Sequence, residues 1–190
     1  MVYAYPSKDQ STAGLYARAI AAYRLHKFDE ALSLTNQLIT KEPNNPYFYE
    51  IKGQMLFDFG KMKDSVSAYQ KAISLRPDSG LIRTALAQSL IETSGKSTAG
   101  LNEAIKHLQR AQQDEPRSTQ VKRLLATAYG RLGKEPEARV YLAEEALLQG
   151  RNPAARSLAS SALKQLPPGS PEIQRARDVI NAIDLKREKD

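Results

Sequence analysis

The 190-residue chain contains no cysteine. Disulfides, thiolate metal sites and a cysteine nucleophile are thereby excluded, and both cytosol and periplasm remain open. No apolar run approaches the roughly 20 residues that span a bilayer. The N-terminus, MVYAYPSKDQS, lacks the basic head and apolar stretch of a secretory signal. The two histidines, His26 and His107, lie far apart with no Glu-x-x-His neighbour. They read as surface histidines, because a catalytic zinc site needs three convergent protein ligands. The segment SGKSTAG (94–100) has neither the GxxxxGK[ST] order nor the preceding strand of a phosphate loop. Glu144 and Glu145 are adjacent on a helix, point to different faces and cannot act as a pair. No catalytic constellation is present, so the chain is not expected to be an enzyme.

Present instead is a composition of 41% apolar and 26% charged residues, that of a soluble globular protein. The net charge of +7 is unevenly placed. Residues 1–50 carry five bases and five acids, whereas Arg117–Lys134 carries five bases and no acid (Arg117, Lys122, Arg123, Arg131, Lys134). Such a run attracts an acidic peptide, an anionic membrane or nucleic acid, and it equally describes a solvated helix face. Aromatic platforms with regular basic interleaving are lacking, so nucleic acid is not an expected partner.

The most regular stretch is Pro46–Ser79, two amphipathic helical patterns joined by a glycine-centred turn. It closes at Pro77, 34 residues after Pro43, the spacing of a helical-hairpin repeat. Before it, Leu15, Ala19, Ala22 and Leu25 recur at helical spacing from Thr12, and His26 and Lys27 occupy the turn. Asp29 is the expected N-cap of the next helix, which carries Ala31, Leu34, Leu38 and Ile39. After it, Ser79 caps a helix with Leu86, Ala87 and Leu90. The segment 94–100 is expected as a longer flexible turn, which makes Pro77 to Pro116 span 39 residues. A fourth unit opens after Ser118, turns at Gly133 and resumes at Pro136. The helix 137–149, with Ala138, Leu142 and Ala146 on one face, is expected to be shared with a fifth hairpin turning at Gly150–Pro153. A last helix begins with Ser170 as cap and Pro171 at its first position, and carries Ile173, Ala176, Ile180 and Ile183.

Set out this way, residues 12–167 resemble the tetratricopeptide repeat (TPR) family. The small residue where paired helices cross falls on Ala19, Gly53, Ala87 and Ala126, followed by a large position at Ala22, Leu56, Leu90 and Tyr129. Leu15, Tyr49 and Arg83 take the early large position. In the second helices the small position is Ala31, Ser65, Ala104 and Ala138, and the large one is Thr35, Tyr69, Leu108 and Leu142. Arg83, Thr35 and His26, which replaces the usual turn glycine, depart from the pattern. The expected fold is all-α, a TPR solenoid of about ten antiparallel helices in four to five hairpins. Residues 1–11 would be a linker, and 168–190 a capping helix with a fraying tail.

A closer resemblance rests on EPNNPYFYEIKGQMLFDFGKMKDSVSAYQKAI, LIRTALAQSLIET and VYLAEEALLQG. These runs look like the C-terminal TPR domain of bacterial periplasmic zinc metallopeptidases of the BepA type. In that family the domain follows a peptidase domain with an H-E-x-x-H helix and takes part in outer-membrane β-barrel assembly and quality control. A start just before the first repeat is what an excised domain would show. The resemblance implies a non-catalytic interaction module with zinc only in the parent's peptidase domain. Its implied partners are protein or peptide segments, the outer-membrane assembly machinery or the parent's own peptidase domain, in the periplasm. The alternative is a free-standing cytoplasmic TPR scaffold.

Grooves of this family are lined by the first helix of each pair. Projection onto those positions selects Tyr16, Ile20, Tyr23 and Arg24, then Glu50, Gln54, Phe57 and Asp58. It continues with Thr84, Gln88, Ile91 and Glu92, then Arg123, Thr127 and Arg131. Aromatics beside Arg and Gln could anchor an extended or helical segment and bond its backbone. Tyr23 and Phe57 equally suit a packing role between repeats. The family's Lys/Asn/Arg clamp for a peptide C-terminus is not evident, because Tyr16, Ile20, Glu50 and Gln54 stand where it should begin.

Overall fold

The 34-residue period is written in the helix caps. Ser11 Oγ accepts from Gly14 N at 3.0 Å and Asn45 Oδ1 from Tyr47 N at 3.2 Å. Ser79 Oγ accepts from Ile82 N at 3.3 Å and Ser118 Oγ from Val121 N at 3.3 Å. Each such bond satisfies an orphan N–H and is worth about 1 kcal/mol. The computed structural model describes residues 9–95 and 97–187. Among them the chain forms α1 (Thr12–Arg24), α2 (Phe28–Lys41), α3 (Pro46–Asp58), α4 (Met62–Leu75), α5 (Gly80–Ser94), α6 (Thr98–Asp114), α7 (Thr119–Arg131), α8 (Glu135–Leu148), α9 (Asn152–Leu163) and α10 (Pro171–Arg187). The all-α expectation holds.

Second helices begin differently. Lys27, Lys61, Lys134 and Arg151 stand at the N-caps of α2, α4, α8 and α9 and make no side-chain cap bond. Before each is a left-handed residue, His26 (φ 56°), Gly60 (φ 78°), Gly133 (φ 73°) or Gly150 (φ 73°). The N–H of the cap residue bonds five residues back, as in Lys27 N to Ala22 O at 2.9 Å and Lys134 N to Tyr129 O at 2.9 Å. This is the Schellman closure, which ends one helix and aims the next without a side-chain cap. Asp29 is therefore not the cap of α2 but sits in its first turn, where a carboxylate complements the helix dipole. His26 accepts the left-handed strain that glycine avoids in the other turns. Leu25, the C-cap of α1, is carried off the core face and is 67% exposed.

The residues inserted between Pro77 and Pro116 are not a flexible turn. The α5 helix has 15 residues against 13 in α3, and α6 has 17 against 14 in α4. All five extra residues thus lengthen helices, and the α5–α6 connection is as short as that between α3 and α4. Ser97 makes this possible by capping α6, accepting from Gly100 N at 3.5 Å. Lys96 lies outside the described residues, as do 1–8 of the expected linker and 188–190 of the tail. The rest of that tail, 185–187, continues α10 as helix.

By internal packing the chain forms two units, one ending at Ser89 and one beginning at Leu90. In the first, α1 packs on α2, α2 on α3 and α3 on α4. Its core includes Leu15, Ala19, Ala31, Leu38 and Met55, all fully buried. In the second, α8 packs against α7, α9 and α10, as expected of a shared helix. That core is rich in alanine (Ala143, Ala146, Ala155, Ala159, Ala162, Ala176), which lets helix backbones approach closely. Val179 and Ile183 of α10 close it. Because α8 has neighbours on both sides, its buried face is rotated from the repeat pattern: Tyr141 is buried and Leu142 is 36% exposed. Ser170 does not cap α10 through its hydroxyl, which is buried without a hydrogen-bond partner.

At the crossing of α3 and α4 a glycine faces a tyrosine ring. A Cβ on Gly53 would lie 2.8–2.9 Å from three ring atoms of Tyr69, itself fully buried. Glycine is required here by approach, since a ring fills the space a methyl would need. Gly53→Ala is expected to lower the unfolding free energy by roughly 1–3 kcal/mol, despite alanine's better helix propensity. Tyr69→Leu added to that background should recover most of the loss in urea titration. A double mutant no more stable than Gly53→Ala alone would disprove the pairing.

Candidate functional site

In the first unit the three-and-four spacing of α3 places Tyr47, Glu50, Ile51 and Gln54 on one face. They line a cavity of about 330 Å³ with Tyr16 of α1, Tyr69 of α4 and Ala85 of α5. Three predicted residues, Tyr16, Glu50 and Gln54, are thus brought together. Tyr16 is largely exposed, its ring 6.4 Å from that of Phe48. Tyr47, Ile51 and Tyr69 were missed by reading the family's groove positions alone. Tyr69 holds the large packing position of α4, and its hydroxyl crosses the helix pair to donate to Gln54 Oε1 at 3.3 Å.

From Gln54 the polar chain continues outward. Gln54 Nε2 donates to Asp58 Oδ1 at 2.9 Å, and the Tyr23 hydroxyl donates to Asp58 Oδ2. Burial, then the bond to Asp58, pushes the Tyr23 phenol up to about 12. Burial likewise raises Tyr69, with the charges of Glu50 and Asp58 adding to it. Glu50 is half-buried, and desolvation raises its carboxyl above the usual range. Among the described residues no hydrogen bond or ion pair satisfies that carboxylate.

The remaining candidates are dispersed. Ile20 packs against the α1–α2 core, Phe57 is half-buried and Arg24 is exposed at the end of α1. Tyr23 combines both expected roles, its ring edge-on to Phe59 at 5.9 Å and its hydroxyl at the surface. Gln88 is half-buried outside the cavity lining. Thr84 and Ile91 are buried and cannot line a surface, because α5 buries residues nearly all round, from Ile82 to Ile91.

The basic run of the second unit is not a free cationic face. Arg123 donates to Glu145 Oε1 through Nε at 3.0 Å and Nη2 at 2.5 Å, and Glu145 is 3% exposed. Arg131 donates to Ile91 O at 2.5 Å and meets Glu92 at 3.3 Å. Lys122, only 6% exposed, pairs with Glu144 at 2.8 Å, and Arg175 reaches the same carboxylate at 2.6 Å. Burial draws the Lys122 ammonium below its usual pKa, while Glu144 opposes that shift. Arg175 also lies 4.8 Å over the Tyr141 ring, which stacks on Tyr129 at 5.3 Å. Glu144 and Glu145 indeed serve different partners. Among the described residues, no group of three His, Cys, Asp or Glu could hold a metal ion, and no helix is long and apolar enough to cross a membrane.

The tetratricopeptide repeat family matches over residues 4–188, and the chain belongs to that family. It is 26% identical to the beta-barrel assembly-enhancing protease of Yersinia pestis over 178 residues, 94% of this chain and 35% of that protein. It is 29% identical to DnaJ protein P58IPK homolog A of Oryza sativa subsp. japonica over 89 residues, 47% of this chain and 19% of that protein. The chain thus spans about a third and a fifth of these relatives' lengths. A solved MamA structure from Desulfovibrio magneticus RS-1 superposes with a TM-score of 0.66 at 17% identity, over 97% of this chain and 99% of that one. At that identity the likeness speaks for the fold alone.

Two outcomes follow from the geometry. Glu144→Gln should cost about 3–5 kcal/mol, because it strands the buried Lys122 ammonium beside Arg175; Lys122→Met in the same background should restore part of it in urea unfolding. A loss below 1 kcal/mol would contradict the assignment. Secondly, the Tyr23 pKa is raised on folding, so its contribution to stability is present below about pH 10 and fades as pH climbs toward 12. Ultraviolet titration should show the Tyr23 transition moving down in Asp58→Asn.

Proposed function

We propose that this chain is a non-catalytic module that grips protein segments and works as the C-terminal portion of a periplasmic zinc metallopeptidase. Its setting would be outer-membrane β-barrel assembly and quality control. The observation that carries this is the extent of the match to the beta-barrel assembly-enhancing protease, which runs along 94% of the chain. The match to the rice DnaJ protein stops at 47%. A free-standing cytoplasmic scaffold therefore has less behind it. In this reading zinc belongs to the companion peptidase, and the chain needs no cofactor of its own.

Within the module, the first unit offers the gripping surface. Tyr16, Tyr23 and Phe57 supply rigid aromatic area, and Gln54 supplies polar contacts, the combination that anchors a polypeptide with little side-chain ordering. Partners on this reading are components of the β-barrel assembly machinery or the parent's own peptidase domain. Arg123, tied to Glu145, serves the second unit's stability more than it serves a partner.

The test is capture of β-barrel assembly components by the tagged chain in the periplasm. Tyr23→Ala and Phe57→Ala should each reduce capture about tenfold with helical circular dichroism intact. Undiminished capture by both folded variants would remove the first unit from the binding role.

A further inference from the structure

The cavity of the first unit has a chemistry of its own. Its volume, about 330 Å³, stands at the lower end of small-ligand sites, roughly 300–1,000 Å³, and suits one large side chain. Three phenol rings, Tyr16, Tyr47 and Tyr69, share its lining with one carboxylate, Glu50. Ionised, Glu50 can only accept hydrogen bonds. It is half-buried, and among the described residues it has no ion pair and no donor. A partly desolvated carboxylate without a partner is costly, and a cation entering beside it removes that cost.

The acid at the rim does not compete for that role. Asp58 is already satisfied by Tyr23 and Gln54. Arg76 touches the lining from the chain itself: it donates to the Tyr47 hydroxyl, lies 5.4 Å from the centre of its ring, and is drawn to Asp78 at 3.7 Å. That contact shows how a guanidinium rests on this wall, while leaving Glu50 unmet.

We propose that this cavity receives a cationic side chain of a bound polypeptide, arginine in preference to lysine. The preference follows from shape. A planar guanidinium can stack on the tyrosine rings while presenting two parallel N–H groups to the carboxylate, and an ammonium cannot do both. The sign is opposite to that of the family's clamp for a C-terminal carboxylate, whose positions here hold Tyr16, Ile20, Glu50 and Gln54. This deepens, and rests on, the reading of the first unit as the gripping surface.

The probe is a blocked, fluorescein-labelled nonapeptide of alternating alanine and leucine, with either arginine or citrulline at its centre. Citrulline keeps the shape and removes the charge. Fluorescence anisotropy with the full chain should show the arginine peptide binding at least tenfold tighter. Glu50→Gln should erase that ratio by weakening the arginine peptide, and a lysine peptide should fall between. Equal binding of arginine and citrulline, lost together in Phe57→Ala, would overturn the cation site and leave the gripping surface standing. Binding of neither peptide would overturn both. A ratio that survives Glu50→Gln would place the cation elsewhere and also refute the proposal.

Discussion

Close approach of paired helices is the constraint on which the rest of this chain depends. Two backbones can come within the roughly 8–10 Å of a ridge-and-groove contact only where one of them presents a small residue. Ala19, Gly53 and Ala126 occupy such places, and their burial leaves little freedom for anything larger. The Schellman turns serve the same end. By returning the backbone through a left-handed residue, they set the second helix antiparallel to the first without a cap side chain. Side chains for the concave lining are then free to be chosen on other grounds, because neither crossing nor turn requires them. Tyr69 is the exception: its ring fills the space left by Gly53, and its hydroxyl reaches the lining through Gln54.

The two units spend their charge differently. In the second, bases that are consecutive along the sequence are matched by acids from other helices: Glu144 and Glu145 of α8 hold Lys122 and Arg123 of α7, and Glu92 of α5 meets Arg131. Lys122 is buried and Glu144 mostly so, and that pair acts where screening by salt is weak and where removal of either partner is costly, whereas Arg131 and Glu92 meet at the surface. In the first unit the balance is reversed. Asp58 is consumed by neutral donors, and Glu50 has no partner at all among the described residues.

Much of this fold was legible in the chain because its rules are local. Prolines at 43, 77 and 116, the small residues at the crossings and the glycines at 60, 133 and 150 each act within one hairpin. What was misread depended on neighbours that a local pattern does not contain. Asp29 looked like a cap until the closure from Ala22 made a cap unnecessary. The segment 94–100 looked like a loop because of its glycines and serines, yet Ser97 converts it into the start of α6. Leu142 obeyed the repeat but lost its place to Tyr141, because α8 packs against α7, α9 and α10. The candidate site was legible by half. Tyr16, Glu50 and Gln54 follow from helix phase, as Tyr47 and Ile51 of the same α3 face also do, whereas Tyr69 and Ala85 come into the lining through tertiary contact. The basic run misled most, since its neutralising acids lie 22 to 39 positions away, Glu144 and Glu145 for Lys122 and Arg123 and Glu92 for Arg131.

An interaction module of this kind needs a surface whose groups are not already satisfied by its own fold. By that criterion net charge is a poor guide to where a partner binds. The strongest basic run in the sequence is largely engaged internally, with Arg123, Arg131 and Lys122 each held by a named acid. Glu50, in a stretch whose bases and acids balance, is left without a partner among the described residues. Glu50 retains its desolvation cost in the free protein, and the tyrosines around it stay in place through packing that does not involve it. Preorganised walls around an unmet charge lower the ordering cost of binding, so affinity can come from few contacts. A half-buried carboxylate left unpartnered among the described residues is therefore the better pointer to a partner outside the fold.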